Sequence, residues 1–232
     1  MRALLLAAGE GTRLGSLTTA IPKPMIEIAG KPILEHNVRL LASYGIRDIT
    51  INTYHQSDRI VEHFGDGTKF GVEISYSHET QLRGTAGALV PLLDILTDTF
   101  AILFGDNLST CNLEKMLDLH RSNGADATIA LYRREDVRAS GVAEIEPDDR
   151  IRRFIEKPSP EQTASRWVNA GIIFAQPVLL RYVPRERPSD LGRDVIPAML
   201  SDGCSIFGYR MTEQLHWIDT PEDYERTSSA LR

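Results

Sequence analysis

A chain of 232 residues with 26 Lys plus Arg against 32 Asp plus Glu carries a formal charge of −6, and 42% of it is hydrophobic. That length buries a core without staples, and that composition excludes wholesale disorder, collagen and coiled coil. The acidic balance argues against a nucleic-acid or membrane-surface binder, and two cysteines, Cys111 and Cys204, make neither a disulfide framework nor a zinc site.

The apolar run Ala3–Ala8 is too short for a signal peptide and enters a glycine loop, so Arg2–Ala8 reads as a buried strand. No stretch reaches the ~20 apolar residues of a membrane span, and the expectation is a soluble, cytoplasmic protein. Pro32–Tyr44 reads as a helix with Pro32 in its first turn, Leu34, Val38 and Leu41 on one face, and Gly45 as its stop. Asp48–Thr53 is β-branched and reads as a strand. Ser57–Phe64 is a short helix that Ser57 can cap. Val72–Tyr76 and Phe100–Phe104 are strands, with a helix over Gly84–Leu93 between them. A helix over Asn112–His120 and a strand over Asp126–Tyr132 follow.

Strands alternating with helices predict an α/β fold, with a Rossmann-like, three-layer, mostly parallel sheet and helices on both faces. Beyond residue 140 the pattern is less regular and mixed. Val142–Ile145 and Ile151–Ile155 form a hairpin around Pro147-Asp148-Asp149. Val168–Phe174 is a strand, Leu191–Leu200 a helix and Ser205–Arg210 a strand. Thr220 caps a last helix with Pro221 first and Glu222 and Asp223 in its opening turn. With no repeat, no hexapeptide array and no linker, the chain reads as a single domain.

The segment LLLAAGEGTRLGSLTTAIPKPMIEIAGKPILE holds the densest chemistry. A strand ends in Ala7-Ala8-Gly9-Glu10-Gly11, and ligands bind off the carboxyl ends of parallel strands. Successive backbone N–H groups in such a turn make an anion site. Arg13 adds a planar fork for phosphate oxygens, and Lys23 is a point charge stiffened between Pro22 and Pro24. Residues 1–40 carry a net charge of +2 within this acidic chain. A dinucleotide fingerprint fails because Leu14 stands where its third glycine belongs, and no Walker A loop exists. A purely structural turn explains the glycines but leaves Arg13 and Lys23 unexplained.

These residues, with Pro22-Lys23-Pro24-Met25 and Gly30-Lys31-Pro32-Ile33-Leu34-Glu35, resemble the signature of the sugar-1-phosphate nucleotidylyltransferases, in particular their mannose-1-phosphate guanylyltransferase-like members. The resemblance implies the nucleotide-diphospho-sugar transferase fold, with residues 1–110 mainly nucleotide-binding and 111–232 mainly sugar-phosphate-binding, and contacts to the nucleotide from Leu6, Ala8, Gly9, Gly11 and Thr12. It makes Arg13 and Lys23 the catalytic cations. Gln81, Gly84 and Thr85, in Glu79-Thr-Gln-Leu-Arg-Gly84-Thr85-Ala86-Gly87, match a base-binding loop, although two glycines at a helix start also suit close packing. Asp106, after the apolar strand, and Asp219, before the helix cap, match the ligands of Mg²⁺. Asp219 could equally serve the helix dipole. Gly141, Glu156, Lys157 and Asn169 match the sugar 1-phosphate site, although Glu156-Lys157 alone would read as a surface ion pair.

The implied reaction joins a nucleoside triphosphate to a sugar 1-phosphate and releases pyrophosphate, GTP with mannose or heptose 1-phosphate being favoured. Other readings stay open. One is dTTP or UTP as the donor. Another is CTP with an alcohol phosphate such as phosphocholine, suggested by the short Ile218-Asp219-Thr220-Pro221. A third is a nucleotide sensor without catalysis. The expected partners are small molecules, with no nucleic acid and no membrane, and a homo-oligomer is allowed.

Overall fold

The computed structural model describes residues 1–9, 11–18 and 21–231, Thr12 and Ser16 by their backbone alone. In chain order the elements are β1 (Arg2–Leu6), β2 (Glu27–Ile28), β3 (Lys31–Pro32), α1 (Ile33–Ser43), β4 (Asp48–Thr53), α2 (Ser57–Phe64), β5 (Glu73–His78), α3 (Gly84–Gly87), β6 (Phe100–Phe104) and β7 (Asn107–Ser109). There follow α4 (Leu113–Ser122), β8 (Ala127–Arg133), β9 (Gly141–Ile145), β10 (Ile151–Glu156), β11 (Trp167–Ala175), α5 (Ile196–Ser201), β12 (Ile206–Arg210), β13 (Leu215–Trp217) and α6 (Pro221–Ala230).

The chain divides into two compact units. The first comprises residues 1–82, 103–110 and 214–232, and the second 83–102 and 111–213. Asp219 belongs to the first unit and Gly84 and Thr85 to the second.

In the first unit β1, β4 and β5 run parallel, with Arg2 opposite Asp48 and Asp48 opposite Glu73. The expected parallel sheet is therefore present here. Its strands are apolar because both faces are covered: Leu4, Leu5, Ile49 and Ile51 are fully buried. Gly105 continues the edge next to β1, its N–H donating to the Leu6 carbonyl at 2.8 Å. A Cβ there would sit 2.9 Å from that carbonyl oxygen, so only glycine fits. Helix α1 buries Leu34, Val38 and Leu41, as its spacing predicts. Helix α2 spans the expected residues, but Gln56 is its N-cap, in the left-handed region at φ 50°, and Ser57 is already helical.

In the second unit β10, β9, β11, β8 and β12 pair in that order, β8 and β12 in parallel and the other three pairs antiparallel. The irregular second half of the sequence reads correctly as a mixed sheet. The expected helix over Gly84–Leu93 is instead one turn, α3, followed by a 3-10 turn over Val90–Leu92 with Pro91 inside it. The expected helix over Leu191–Leu200 opens as a π turn, Leu191–Val195, before α5.

Candidate active site

Four charged side chains meet in the first unit. The ammonium of Lys23 donates to Asp106 Oδ2 and to Asp219 Oδ1, at 2.8 Å each. The two carboxylate oxygens thus lie no farther apart than twice that distance. Arg13 reaches the same Asp219 oxygen at 3.3 Å. The Lys23 side chain is 6% exposed, whereas Arg13 is 65% exposed. A cavity of about 320 Å³ is lined by Gly9, Gly11, Arg13, Lys23, Leu82, Asp106 and Asp219. Burial alone would push the Lys23 ammonium down. The charges of Asp106 and Asp219 outweigh it and hold the group above its usual range.

Local sequence explains each position. Lys23 opens a 3-10 turn between Pro22 and Pro24, closed by Met25 N–H to the Pro22 carbonyl (2.8 Å) and Ile26 N–H to the Lys23 carbonyl (3.1 Å). Gly11 sits at φ +62°, and a Cβ on it would lie 2.6 Å from Lys23 Cβ. It is glycine both for its backbone angle and because the lysine stem crosses it. Thr18 Oγ1 donates to the Gly11 carbonyl at 3.2 Å and closes the loop. A Cβ on Gly9 would meet open space, so its backbone faces the cavity uncovered. The Thr12 side chain, expected among the nucleotide contacts, lies outside the described residues.

Asp106 and Asp219 are brought together by β7 and β13, an antiparallel ribbon in which Trp217 lies opposite Asn107. Asp106 immediately precedes β7, and Asp219 stands two residues after β13. The pairing therefore sets them side by side across a sequence gap of more than a hundred residues. The N–H groups of Asp219 and Thr220 both donate to Asp223 Oδ2, and Thr220 Oγ1 accepts from Asp223 N–H. This capping box, read in part from the sequence, fixes the backbone from which Asp219 projects. Beneath the charges lies one apolar cluster of Leu14, Ile26, Ile28, Ile33, Leu108 and Ile218. Arg13, Lys23, Asp106 and Asp219 each stand within three residues of one of its members.

In the second unit Glu156 ends β10. A Cβ on Gly141 would lie 2.7 Å from Glu156 Oε2, and one on Gly192, in the π turn, would collide with the same oxygen. The two glycines thus make room for this carboxylate. Among the described residues nothing hydrogen-bonds to it. Burial pushes its pKa up, with Asp190 adding to the shift and Lys157 and Arg193 opposing it. Lys157 is exposed, with its backbone in the left-handed region at φ 50°. That conformation is costly for a non-glycine residue and is often found at ligand sites. Asn169 Oδ1 accepts from Gly171 N–H at 2.9 Å, where β11 bulges against β8. Its amide NH₂ has no protein partner among the described residues.

The base-loop candidates are differently employed. The N–H groups of Ala86 and Gly87 donate to the Ser189 carbonyl at 2.9 and 3.2 Å. A Cβ on Gly84 (φ +76°) would lie 2.5 Å from that carbonyl oxygen. Thr85 Oγ1 donates to Asp190 Oδ1 at 3.2 Å and accepts from Leu191 N–H at 2.9 Å. Close packing accounts for these glycines and for the threonine. Gln81 is exposed in the first unit.

Residues 2–231 match the family model described as nucleotidyl transferase. The chain belongs to the nucleotidyl transferase family. It is 37% identical to the mannose-1-phosphate guanylyltransferase of Mycobacterium tuberculosis over 99% of its own length and 64% of that relative's. It is 36% identical to the UTP–glucose-1-phosphate uridylyltransferase of Synechocystis, over 94% and 60%. It thus spans somewhat less than two thirds of these curated relatives. A solved Bacillus anthracis structure of a candidate glucose-1-phosphate thymidylyltransferase superposes with a TM-score of 0.88 at 25% identity, covering 100% of this chain and 95% of that one. HddC of Yersinia pseudotuberculosis shares the fold, with a TM-score of 0.83 at 22% identity, covering 100% and 99%.

For this nucleotidyl transferase chain, sequence reading missed the residues behind the site. Asn52, 2% exposed, accepts from Ala7 N–H at 3.0 Å and donates to buried Glu79 at 2.7 Å, holding the exit of β1. The amide of Asn52 standing within the β-branched run Ile49–Thr53 was the available signal. Glu35, last of the resembling motif, binds Arg39 Nε and His63 Nε2 at 2.8 Å each and so ties α1 to α2.

Proposed function

We propose that this chain transfers a nucleotidyl group from a nucleoside triphosphate to a sugar 1-phosphate, releasing pyrophosphate. The observation that carries the reading is the buried ammonium of Lys23 set between two carboxylates on the wall of a cavity that also holds Gly9, Gly11 and Arg13. The attacking phosphate oxygen is already an anion, so no general base is required. The residues must cancel charge and align two polyanions. Gly9 and Gly11 offer backbone N–H groups to the phosphates, with Leu6, Ala8 and Thr12 alongside. Arg13 takes the departing pyrophosphate side, its exposure leaving the fork free to move. Lys23 neutralises charge developing at the α-phosphate.

Asp106 and Asp219 suit a divalent cation, Mg²⁺, because their oxygens already share one positive group, although among the described residues no cluster of three or more metal-binding side chains exists. When bound, such an ion would neutralise phosphate charge. Glu156 accepts sugar hydroxyls, Lys157 holds the sugar phosphate, Asn169 offers its amide to the ring, and Gly141 supplies backbone. Gln81, Gly84 and Thr85 are assigned to the nucleotide.

GTP with mannose 1-phosphate, or heptose 1-phosphate, is the favoured pair, since a guanylyltransferase stands at 37% identity. UTP or dTTP with glucose 1-phosphate is the second reading, supported by a uridylyltransferase at 36%. A cytoplasmic setting fits small soluble substrates. Pyrophosphate release measured over four nucleoside triphosphates and a panel of sugar 1-phosphates tests all of this. One pair should exceed the rest by at least tenfold, and chelation of divalent ions should abolish its turnover. No release from any pair, or release only from CTP with phosphocholine, would overturn the reading.

A further inference from the structure

The Asp106–Asp219 pair already has a cation supplied by the chain itself. Lys23 Nζ bonds both carboxylates at 2.8 Å, and Arg13 stands 3.3 Å from the second. Two positive and two negative side chains leave the cluster neutral. Oxygen ligands hold Mg²⁺ at about 2.0–2.1 Å, so an ion on either of these oxygens would stand within about 5 Å of the ammonium that bonds them both. At that range the two cations repel, and the Lys23 side chain, 6% exposed, is little screened by water. The lysine cannot leave by moving its backbone. Two prolines flank it, its peptide closes a 3-10 turn, and its stem lies against Gly11. Only the end of the side chain can swing away, and it leaves a bidentate, half-buried partner only for another anion.

We propose that Lys23 is a placeholder cation. Lys23 and a divalent ion exclude one another from the Asp106–Asp219 pair, so the bare metal ion binds poorly. The ion enters with a polyphosphate, whose oxygens draw the ammonium off the carboxylates. The proposal rests on the nucleotidyl-transfer reading but concerns an equilibrium that can be measured without turnover. Arg13, exposed at the rim, stays with Asp219 or follows the phosphate and does not block the pair.

Mn²⁺ alone, titrated into nucleotide-free protein and followed by its free-ion electron paramagnetic resonance signal, provides the test. Lys23→Met should bind Mn²⁺ at least tenfold more tightly than the unaltered chain, and the added affinity should vanish in Lys23→Met/Asp106→Asn. Equal affinities, or a gain that survives Asp106→Asn, would overturn the proposal. Because Lys23→Met can fail to fold, the unaltered protein supplies a second readout, the ¹⁵N ammonium resonance of Lys23. It should hold its position on adding Mg²⁺ alone and shift when inorganic tripolyphosphate is added with Mg²⁺. A shift with Mg²⁺ alone, or none with both, would sink the idea. A chain that shows this competition and yet releases no pyrophosphate keeps the placeholder and loses the proposed reaction.

Discussion

Gly11 shows how tightly a single residue is bound to the chemistry. Its backbone lies at φ +62°, where a side chain costs about 1–2 kcal/mol. Its missing Cβ is the space through which the Lys23 stem passes. Gly11→Ala should therefore reduce turnover at least tenfold by displacing the ammonium, with a melting temperature lower by several degrees. Gly9→Ala, whose Cβ would meet no protein atom, should leave the melting temperature unchanged. Differential scanning calorimetry beside the pyrophosphate assay separates the two. His120 offers a second residue-scale expectation. It is fully buried, its Nδ1 2.9 Å from Thr128 Oγ1 and its Nε2 3.0 Å from the Gln176 amide nitrogen. Burial, helped by Arg121 and opposed by Asp126, holds its pKa below 6.5. The unfolded chain therefore binds the proton more readily, and stability is lost as pH falls through about 6.5. The melting temperature should drop between pH 7.5 and pH 5. His120→Gln should be less stable at neutral pH, by about 1–3 kcal/mol, but should show a shallower slope. An unchanged slope would remove His120 as the cause and leave the other histidines to account for it.

Among elements, the ribbon of β7 and β13 does most to make the site, and it was the least legible. Three-residue strands carry no usable periodicity, and their pairing joins residues more than a hundred positions apart. Asp106 and Asp219 could be singled out as candidates, but nothing in the sequence sets them against one lysine. The regular parts of the chain were readable. Strand β4, helix α2 and strand β6 fall on the residues expected, because β-branched runs, an amphipathic turn and an apolar run each give a strong local signal. Of the helix expected over Gly84–Leu93 only the turn Gly84–Gly87 is α-helical: Gly84 serves close contact with Ser189, and Pro91 stands in the 3-10 turn that follows. Ile218, fully buried beside Asp219, tests the ribbon's role. Ile218→Ala should cost about 2–5 kcal/mol in chemical denaturation. It should also depress kcat by more than the loss of folded protein explains, because the neighbouring carboxylate loses its support. A stability loss with kcat intact would show that Asp219 is held by its capping box alone.

At the scale of the molecule, Arg13, Lys23, Asp106 and Asp219 fall in one unit, while Gly141, Glu156, Lys157 and Asn169 fall in the other. The sequence placed these sets in chain order and so put Asp219 with the second half. Only the contacts show that residues 214–232 return to the first unit. None of the described helices is long and apolar enough to cross a bilayer. That returning segment bears on how the protein is made. Domains fold as units while the ribosome feeds out the chain from its amino end. Here the glycine loop and Lys23 emerge before Asp106, and Asp219 follows Gly11 by some two hundred residues. A nascent chain holds the lysine against one carboxylate at most until Asp219 has emerged, so nucleotide capture of the kind proposed is withheld from every polypeptide that still ends short of it.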